Sequence, residues 1–437
     1  MYRRVYEELL AWKSSPRRKP LVLKGARQVG KTWLMKEFAD KAYEDFVYIS
    51  FDRNAEAAKI LNDTKDPKLI LERLALARNK QILPEKTLII FDEIQECPNA
   101  LGSLKYFNEE AAGYHIVAAG SLLGTYLTNP VSYPVGKVNI LNVYPLSFEE
   151  YLAAADVGMH QYYCAVNTGR DYVSAFHGKM IDHYKKYLIV GGMPECVKSW
   201  VDNADPEEIT VIQNEILSLY ENDFTKYSGK VNGGRILQIF RSIVPQLAKE
   251  NNEKFMFAAI AKSARAKDFE AAIEWLVSSG VVYRVMNVSK PEYPLKAFEM
   301  FNYFKLFLLD SGLVKYMAGL TNKSILLSDS FQFKGQLAEN YVLQQLISEL
   351  HTEPNYYAYA QDREIDFIIQ RGETIIPLEV KSGGSIKAVS LKSYIDKYKP
   401  ETAVRLSANE YLENGAIINI PLYFAGKIPG LIFNKTY

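Results

Sequence analysis

The stretch "KGARQVGKTWLMKEF" (residues 24–38) sets a glycine-bounded turn between a short apolar run and an amphipathic helix. The preceding "KPLVLKG" predicts a buried strand, and Leu34, Met35 and Phe38 recur at helical spacing. The turn, residues 25–32, matches G-x-x-x-x-G-K-T at every fixed position. This order of strand, glycine turn and helix restricts the fold strongly, because α/β proteins use it to build a phosphate site.

The turn predicts which groups would contact a triphosphate. Backbone N–H groups of the turn and the positive end of the following helix would cradle the phosphate oxygens. Lys31 would reach the β- and γ-phosphates, and the Thr32 hydroxyl would be a ligand of Mg²⁺. The predicted nucleotide-binding residues are Gly25, Ala26, Arg27, Gln28, Val29, Gly30, Lys31, Thr32 and Trp33. The alternative is an ordinary strand-turn-helix in which the glycines occur by chance.

A second acidic feature follows at "TLIIFDEIQ" (residues 87–95), an apolar strand that ends in two carboxylates. Asp92 suits a contact to Mg²⁺, and Glu93 suits the base that orients and activates an attacking water. The alternative is a strand followed by a solvated acidic turn, but the phosphate-binding loop upstream favours catalysis. Because a kinase acting on a small substrate would not need a carboxylate placed for water, the pair predicts ATP hydrolysis.

Composition narrows the class of protein. A chain of 437 residues, 48% hydrophobic and 24% charged, predicts two to four globular domains. Cys97, Cys164 and Cys196 form no C-x-x-C pair and the five histidines show no metal spacing, which argues for a reducing compartment and against structural zinc. Without a signal-peptide core or an apolar stretch near ~18 residues, we expect a cytoplasmic protein with no membrane partner. The net charge of +1 does not by itself indicate nucleic-acid binding.

Strands and helices alternate up to about residue 150, which predicts a parallel sheet wrapped by helices with ligands at the carboxyl ends of the strands. Ser121 follows the fourth predicted strand, where it would be either a sensor of the γ-phosphate or a helix cap. The pattern predicts three parts: an ATPase domain over 1–155, a mainly helical region over 156–330, and a small α/β domain over 331–437.

The middle region contains two further signals. Gly-Gly-Met-Pro at 191–194 breaks a helical pattern and suggests a hinge. Residues 257–285 predict helix, turn, helix and the first strand of a wing, a unit that often reads DNA. Asp268, Glu270 and Glu274 on its second helix would be repelled by phosphate, so a winged-helix packing module is the favoured interpretation and DNA binding the alternative.

The last hundred residues predict a second candidate site. Glu339 lies on an amphipathic helix, and the hairpin "DREIDFIIQRGETIIPLEVKSG" carries Asp366 on one strand and Glu379 and Lys381 on the next. Residues i and i+2 of a strand share a face. The three acids could therefore bind Mg²⁺, and Lys381 could position or deprotonate the water that attacks a phosphodiester. The alternative is a surface hairpin held by ion pairs, and eleven basic against twelve acidic residues over 331–437 are a poor footprint for DNA.

These motifs resemble those of a large bacterial and archaeal group of AAA-type ATPases whose C-terminal half is a domain of unknown function with restriction-endonuclease-like, PD-(D/E)xK, character. The stretches that carry the resemblance include "RRKPLVLKGARQVGKTWLMKEF", "LIIFDEIQECP", "VYPLSFEEYL", "GGMPE", "FLLDSGLV" and "EIDFIIQRGETIIPLEVKSG". The resemblance implies an AAA-type core, a winged-helix segment and a nuclease-like fold. It implies nucleotide and metal roles for Lys31, Thr32, Asp92 and Glu93, and nuclease-core roles for Glu339, Asp366, Glu379 and Lys381.

Two functional hypotheses follow. In the first, an ATPase drives a metal-dependent nuclease that acts on DNA or RNA. In the second, a nucleotide-switched interaction protein carries a nuclease-like domain that binds without cleaving. AAA-type sites commonly borrow an arginine from a neighbouring copy, so the resemblance also implies nucleotide-dependent self-association.

Overall fold

The computed structural model describes residues 1–120, 136–226, 232–249, 254–262, 264–327, 333–360, 363–383 and 389–433. Contacts divide the chain into two compact units. The N-terminal unit is Arg3–Tyr144 with Ser278–Gly280, and the C-terminal unit is Met1–Tyr2, Pro145–Val277 and Val281–Tyr437. The three-part division expected from the sequence stays a prediction.

The N-terminal unit is built on a five-stranded parallel sheet in the order β2-β3-β4-β1-β5. Its strands are β1 (Leu21–Lys24), β2 (Asp45–Ser50), β3 (Thr87–Asp92), β4 (His115–Ala119) and β5 (Asn139–Asn142). This sheet agrees with the alternation of strands and helices expected up to about residue 150. Every residue of β3 is buried, as expected for a parallel strand covered by helices on both faces. Strand β4 lies between β1 and β3 and pairs in parallel with both, so the carboxyl ends of these three strands lie at the same edge of the sheet.

The helices of this unit surround that sheet. They are α1 (Val5–Ser14), α2 (Lys31–Ala42), α3 (Ala55–Asp63), α4 (Pro67–Arg78) and α5 (Pro98–Glu110). Local sequence explains their ends: the Asp66 side chain caps α4, Pro67 occupies its first position, and Asn79 closes it in the left-handed conformation. Leu61, Leu74 and Leu104 pack with the strands into one buried core.

The C-terminal unit begins with a run of helices. These are α6 (Phe148–Ala155), α7 (Val157–Ala165), α8 (His177–Val190), α9 (Pro194–Asn203), α10 (Pro206–Lys226), α11 (Gly233–Leu247) and α12 (Ala266–Ser278). Further along the chain are α13 (Ser311–Met317), α14 (Asn322–Leu327), α15 (Lys334–Leu350), α16 (Val389–Tyr398) and α17 (Ile428–Phe433). No helix in the described part of the chain is long and apolar enough to cross a membrane.

The glycine pair at 191–192 separates α8 from α9, so the predicted break is present. Both glycines are buried, and the Gly192 N–H donates to Asp310 Oδ2 at 2.6 Å. The Gly192 carbonyl in turn accepts from the Leu146 N–H at 2.6 Å. The pair is therefore held in a packed junction, and the expected hinge is not supported, because buried hydrogen bonds would have to break for it to move.

The C-terminal unit also contains an eight-stranded mixed sheet in the order β12-β13-β11-β10-β9-β8-β6-β7. Its strands are β6 (Val282–Val288), β7 (Glu299–Leu308), β8 (Asn355–Ala360), β9 (Arg363–Arg371), β10 (Thr374–Val380), β11 (Ala403–Ser407), β12 (Leu412–Asn414) and β13 (Ile417–Pro421). Strand β6 pairs with β8, so the sheet continues across the predicted boundary at 330/331.

The predicted winged helix is only partly recognisable in these elements. Phe257–Ala259 form a 3-10 turn where the sequence suggests a first helix, whereas α12 and the antiparallel pair β6–β7 follow as expected. Pairing of β6 with β8 joins this hairpin to the larger sheet. The winged-helix interpretation stays a prediction.

Candidate functional site

Two glycines and a glutamine in the left-handed conformation determine the backbone path of the loop between β1 and α2. Gln28 has a φ of 67° and Gly30 a φ of 91°, both in the left-handed region. At Gly25 a Cβ atom would lie 2.2 Å from the carbonyl oxygen of Val143, so a side chain cannot be accommodated there. Turns of this kind aim successive backbone N–H groups into a concave anion site. The loop thus has the backbone conformation that the motif predicts.

Lys31 turns back onto its own loop. Its Nζ donates to the carbonyl oxygens of Gly25 at 2.9 Å and Ala26 at 2.7 Å. Burial lowers the pKa of Lys31 to about 8, although the charges of Glu93 and Asp92 act in the opposite direction. The ammonium therefore lies in a site that favours a further negative charge, such as a phosphate, beside it.

Asp92, at the end of β3, is buried and accepts two hydroxyl hydrogen bonds on one oxygen. Thr32 Oγ1 and the Tyr48 hydroxyl each donate to Asp92 Oδ2 at 2.8 Å. Burial, followed by the bond to Asp92, raises the pKa of Tyr48 to about 12, so the hydroxyl remains a donor at neutral pH. The predicted metal-binding pair Thr32 and Asp92 is thus in direct contact.

Glu93 adopts a backbone conformation that is rare for glutamate, with a φ of 49° and a ψ of 45°. Its N–H donates to Asp92 Oδ1 at 3.0 Å, and Gln95 Nε2 donates to Glu93 Oε2 at 2.5 Å. Left-handed non-glycine residues cost of order 1–3 kcal/mol and cluster at functional sites. Asp92 therefore holds the backbone of Glu93, and Gln95 holds its half-buried carboxylate.

Other predicted contact residues surround this centre. Arg27 is half-buried and its charge contributes to lowering the pKa of Lys31, whereas Trp33 on the first turn of α2 is 40% exposed. Val29 is buried, and its carbonyl accepts from Arg3 Nη1 at 2.9 Å. Ser121 lies outside the described residues, directly beyond Gly120 at the end of β4.

The C-terminal unit brings the second predicted set together at β9 and β10. Phe367 pairs with Leu378, which places Asp366 and Glu379 next to that pair on neighbouring strands. The Val380 N–H donates to Asp366 Oδ2 at 2.6 Å, and Lys381 Nζ lies 3.0 Å from Glu379 Oε1.

Glu339 of α15 interacts electrostatically with Asp366 and Lys381. Burial, with a contribution from Asp366, raises the pKa of Glu339 to about 8. Burial also raises the pKa values of Asp366 and Glu379, while Lys381 partly offsets both increases. For Lys381, burial acts to lower the pKa, but Glu379 and Asp366 outweigh it and the pKa is raised. The four predicted residues therefore interact, and they share a site with incompletely compensated negative charge.

Two residues that the sequence reasoning did not single out complete this acidic cluster. Lys305 of β7 is buried and forms an ion pair with Glu364, which is two residues before Asp366 on β9. Lys305 and Glu364 both contribute to the electrostatic environment of Glu339. We use "acidic cluster" for Lys305, Glu339, Glu364, Asp366, Glu379 and Lys381.

The acidic cluster offers a divalent cation a buried carboxylate oxygen, but its carboxylates are not closely spaced. Glu379 Oε2 is buried and accepts no hydrogen bond among the described residues, so this oxygen has the capacity to bind a cation. The carboxylates are nevertheless more widely spaced than a closed three-ligand set. Among the described residues, such a set, with all ligand atoms within 4.8 Å of one another, is formed by Glu149, His160 and Cys164.

Comparison with known families agrees with the N-terminal geometry. Residues 17–152 match the family model described as an AAA domain. The N-terminal unit has the P-loop AAA ATPase fold. Residues 181–324 and 334–423 match two domains of unknown function, DUF8612 and DUF4143. The nuclease-like and winged-helix assignments receive no support from these descriptions. No curated protein matches the chain.

Solved structures that resemble the chain include three archaeal proteins. The Walker-type ATPase PABY2304 of Pyrococcus abyssi is 17% identical, with 72% of this chain and 95% of that chain covered and a TM-score of 0.46. The ORC1 protein of Aeropyrum pernix, solved in complex with DNA, is 13% identical, with 72% and 90% covered and a TM-score of 0.27. Cdc6p from Pyrobaculum aerophilum is 12% identical, with 73% and 90% covered and a TM-score of 0.24. At these TM-scores the similarities carry no functional conclusion for this chain.

Lys305, Glu364 and Tyr48 belong to the two sites but were not predicted from the sequence, and the local sequence signals for them differ. Lys305 interrupts the apolar run "YFKLFLL", and Glu364 lies two residues from Asp366, so strand periodicity could have indicated both. Tyr48 lies on β2, and its contact with Asp92 depends on the parallel register between β2 and β3. No local signal in the sequence predicts that register.

Proposed function

We propose that this protein binds ATP with Mg²⁺ and hydrolyses it at the N-terminal site. The observation that carries the proposal is the 2.8 Å hydrogen bond between Thr32 and Asp92, because it joins the two predicted metal-binding groups at the mouth of the phosphate-binding loop. When bound, Mg²⁺ would neutralise charge on the phosphate oxygens. Thr32 and Asp92 are the residues that would hold it.

The remaining residues of the site have distinct roles in this proposal. Lys31 exchanges the carbonyl oxygens of Gly25 and Ala26 for phosphate oxygens, which are stronger acceptors because they are charged. Glu93 orients the attacking water and accepts its proton. Gln95 fixes the carboxylate of Glu93 through Oε2.

The test compares Glu93→Gln with Glu96→Gln, since Glu96 is an exposed carboxylate three residues away. We expect Glu93→Gln to retain ATP affinity and to lose ~10²-fold or more in turnover, as for removal of a general base. Glu96→Gln should behave like the wild type. Lys31→Ala should lose ATP binding, whereas Lys41→Ala, at an exposed position of α2, should not. Wild-type turnover by Glu93→Gln would refute its role as the base.

We infer a second function from the acidic cluster, namely binding of a divalent cation and of a phosphodiester. Four carboxylates share the cluster with two lysines, and the buried Glu379 Oε2 has no donor among the described residues. In this proposal Glu339, Asp366 and Glu379 would hold the cation, and Lys381 would position or deprotonate the attacking water. The chemistry is that of a PD-(D/E)xK-type nuclease, with DNA or RNA as the substrate.

Cleavage and binding without cleavage are separated by one assay. Single- and double-stranded DNA and RNA are incubated with Mg²⁺ or Mn²⁺ and with wild type, Glu379→Gln or the control Glu373→Gln, which changes an exposed residue of the β9–β10 turn. Cleavage lost only in Glu379→Gln supports a nuclease. Cation-dependent retention of nucleic acid without cleavage supports the interaction protein. If no substrate is either cleaved or retained, this second function is contradicted. The ATPase proposal is unaffected by that outcome.

Nucleotide-dependent self-association is also part of the proposal. AAA-type sites commonly gain ~10³-fold or more in rate from an arginine of a neighbouring copy. Light scattering of Glu93→Gln with and without ATP measures the assembly directly. An unchanged monomer in saturating ATP would exclude a borrowed arginine.

A further inference from the structure

The helical pair α6–α7 of the C-terminal unit brings together three side chains of types that bind metals. Cys164 Sγ lies 3.4 Å from His160 Nε2 and 3.8 Å from Glu149 Oε1, and His160 Nε2 lies 4.0 Å from the same carboxylate oxygen. Glu149 and His160 are largely buried, with 15% and 20% of their side chains exposed. Thiol, imidazole and carboxylate thus converge at a partly covered position.

The chain builds this arrangement from local signals. His160 and Cys164 are four residues apart on α7, so they lie on one face of the helix. The Asp156 N–H donates to the Leu152 carbonyl oxygen at the end of α6, and Asp156 Oδ1 accepts from the Met159 N–H at the start of α7. A one-residue link therefore sets the angle between the helices and brings Glu149 opposite that face.

Neighbouring groups fix two of the three ligands. The Tyr2 ring packs against His160, with 5.5 Å between centroids. Lys427 Nζ donates to the Cys164 carbonyl oxygen at 3.1 Å and lies 5.4 Å from the centre of the Tyr163 ring. The last turn of α7 is thereby held in place, which limits the entropy lost when its ligands bind an ion.

The spacing agrees with a tetrahedral transition-metal centre. Bonds of ~2.3 Å to sulfur and ~2.0–2.1 Å to nitrogen and oxygen place ligand atoms roughly 3.3–3.6 Å apart. The observed separations of 3.4, 3.8 and 4.0 Å need only sub-ångström side-chain movements to reach those values. A cysteine ligand selects a borderline or soft ion over Mg²⁺ or Ca²⁺.

We propose that Glu149, His160 and Cys164 form a binding site for a divalent transition-metal ion of the Zn²⁺ class. On binding, the Cys164 thiol releases its proton to solvent, and His160 coordinates through its neutral Nε2. The thiolate and the Glu149 carboxylate balance the two positive charges of the ion. Three protein ligands leave one coordination position for water, and the ion links α6 to α7.

Cobalt(II) titration of the metal-free, untagged full-length protein tests this site. A thiolate bound to Co²⁺ gives a charge-transfer band in the near ultraviolet, which oxygen ligands at the ATP site or the acidic cluster cannot give. We expect the band to saturate at one equivalent and to disappear when one equivalent of Zn²⁺ is added. Cys164→Ser should abolish it, whereas Cys97→Ser, in the N-terminal unit, should retain it.

The remaining variants separate a metal site from a thiol–imidazole hydrogen bond. Glu149→Gln should weaken Co²⁺ binding at least roughly tenfold, since even residues that only support a metal ligand change affinity by ~10–100-fold. Unchanged ATP binding and thermal unfolding of the metal-free variants will establish that they are folded. Absence of the band at one equivalent, or its persistence in Cys164→Ser, would overturn the proposal.

Discussion

Thr32 at the start of α2 donates a 2.8 Å hydrogen bond to Asp92 at the end of β3. The contact joins side chains sixty positions apart in the sequence, and it depends on the hydroxyl alone. We therefore expect Thr32→Ala to lower Mg²⁺-dependent ATP turnover by roughly 10–100-fold, because Asp92 loses its partner and the metal one ligand. Thr32→Ser keeps the hydroxyl and should remain within a few-fold of wild type. Equal rates for Thr32→Ala and wild type at limiting Mg²⁺ would contradict the assignment.

The lowered pKa of Lys31 predicts a pH dependence of ATP binding. In the free protein this pKa is about 8. Phosphate beside the ammonium favours the charged form and raises the pKa. Binding above pH 8 must therefore take up a proton, and the dissociation constant should rise by up to ~10-fold per pH unit above 8 while staying nearly constant below pH 7.

Calorimetry at pH 8.5 in two buffers of different ionisation enthalpy measures this proton directly. At pH 8.5, half a pH unit above a pKa of about 8, we expect uptake of about three quarters of a proton in wild type and in Lys41→Ala. If wild type takes up no proton at pH 8.5, Lys31 is not the group that meets the phosphate.

The sequence predicted the N-terminal unit well because its signals are local. An apolar strand, a G-x-x-x-x-G-K-T turn and a helix follow one another over residues 21–42, and β3 is a continuous buried run that ends at Asp92. Periodicity and capping determine such elements without reference to distant parts of the chain. The partner of Asp92 on β2, Tyr48, depends on strand register, which a single sequence does not reveal.

The C-terminal unit was harder to predict because long-range pairing defines it. The hairpin that holds Asp366 and Glu379 is local, and its strands lie where the sequence places them. Lys305 reaches the acidic cluster from a strand about sixty residues earlier, through a sheet in which β6 and β8 are neighbours. The candidate site at Cys164 likewise depends on a contact between separate elements. His160 and Cys164 share one face of α7 without a C-x-x-C or paired-histidine motif, and Glu149 comes from another helix.

The packed junction at Gly191 predicts a large effect of one methyl group. Gly191 has a φ of 72° and a ψ of −167°, a region that is essentially limited to glycine, and an added Cβ would lie 2.2 Å from Asp310 Oδ1. We expect Gly191→Ala to destabilise the C-terminal unit by roughly 3 kcal/mol. Gly178 lies in the first turn of α8, the helix that ends just before Gly191, and no described atom lies within 4 Å of a Cβ added to it. Gly178→Ala should therefore change stability by less than about 1 kcal/mol. Thermal unfolding monitored by tryptophan fluorescence compares the two variants. Equal stabilities would mean that the junction at Gly191 rearranges to accommodate the methyl group, which would contradict the prediction.

The raised pKa of Glu339 predicts how the acidic cluster binds metal. Without metal, Glu339 holds a proton up to about pH 8. A cation binds the carboxylate and not the acid, so binding below pH 8 must release that proton, and affinity should increase by up to ~10-fold per pH unit until it levels off above 8. Mn²⁺ binding, followed by electron paramagnetic resonance at pH 6.5, 7.5 and 8.5 without nucleotide, measures this slope.

Three variants assign that slope to the cluster. Glu379→Gln should remove the Mn²⁺ bound there, and the difference from wild type isolates this site from the N-terminal one. Glu373→Gln should match wild type. Glu339→Gln should weaken binding and flatten the pH dependence, since the carboxyl that titrates near pH 8 is gone. If Glu379→Gln binds as much Mn²⁺ as wild type at pH 8.5, the acidic cluster is not a metal site.

Its carboxylates and lysines would then form a buried ion-pair network that holds β7, β9, β10 and α15 together. The nuclease-like interpretation would lose its physical basis.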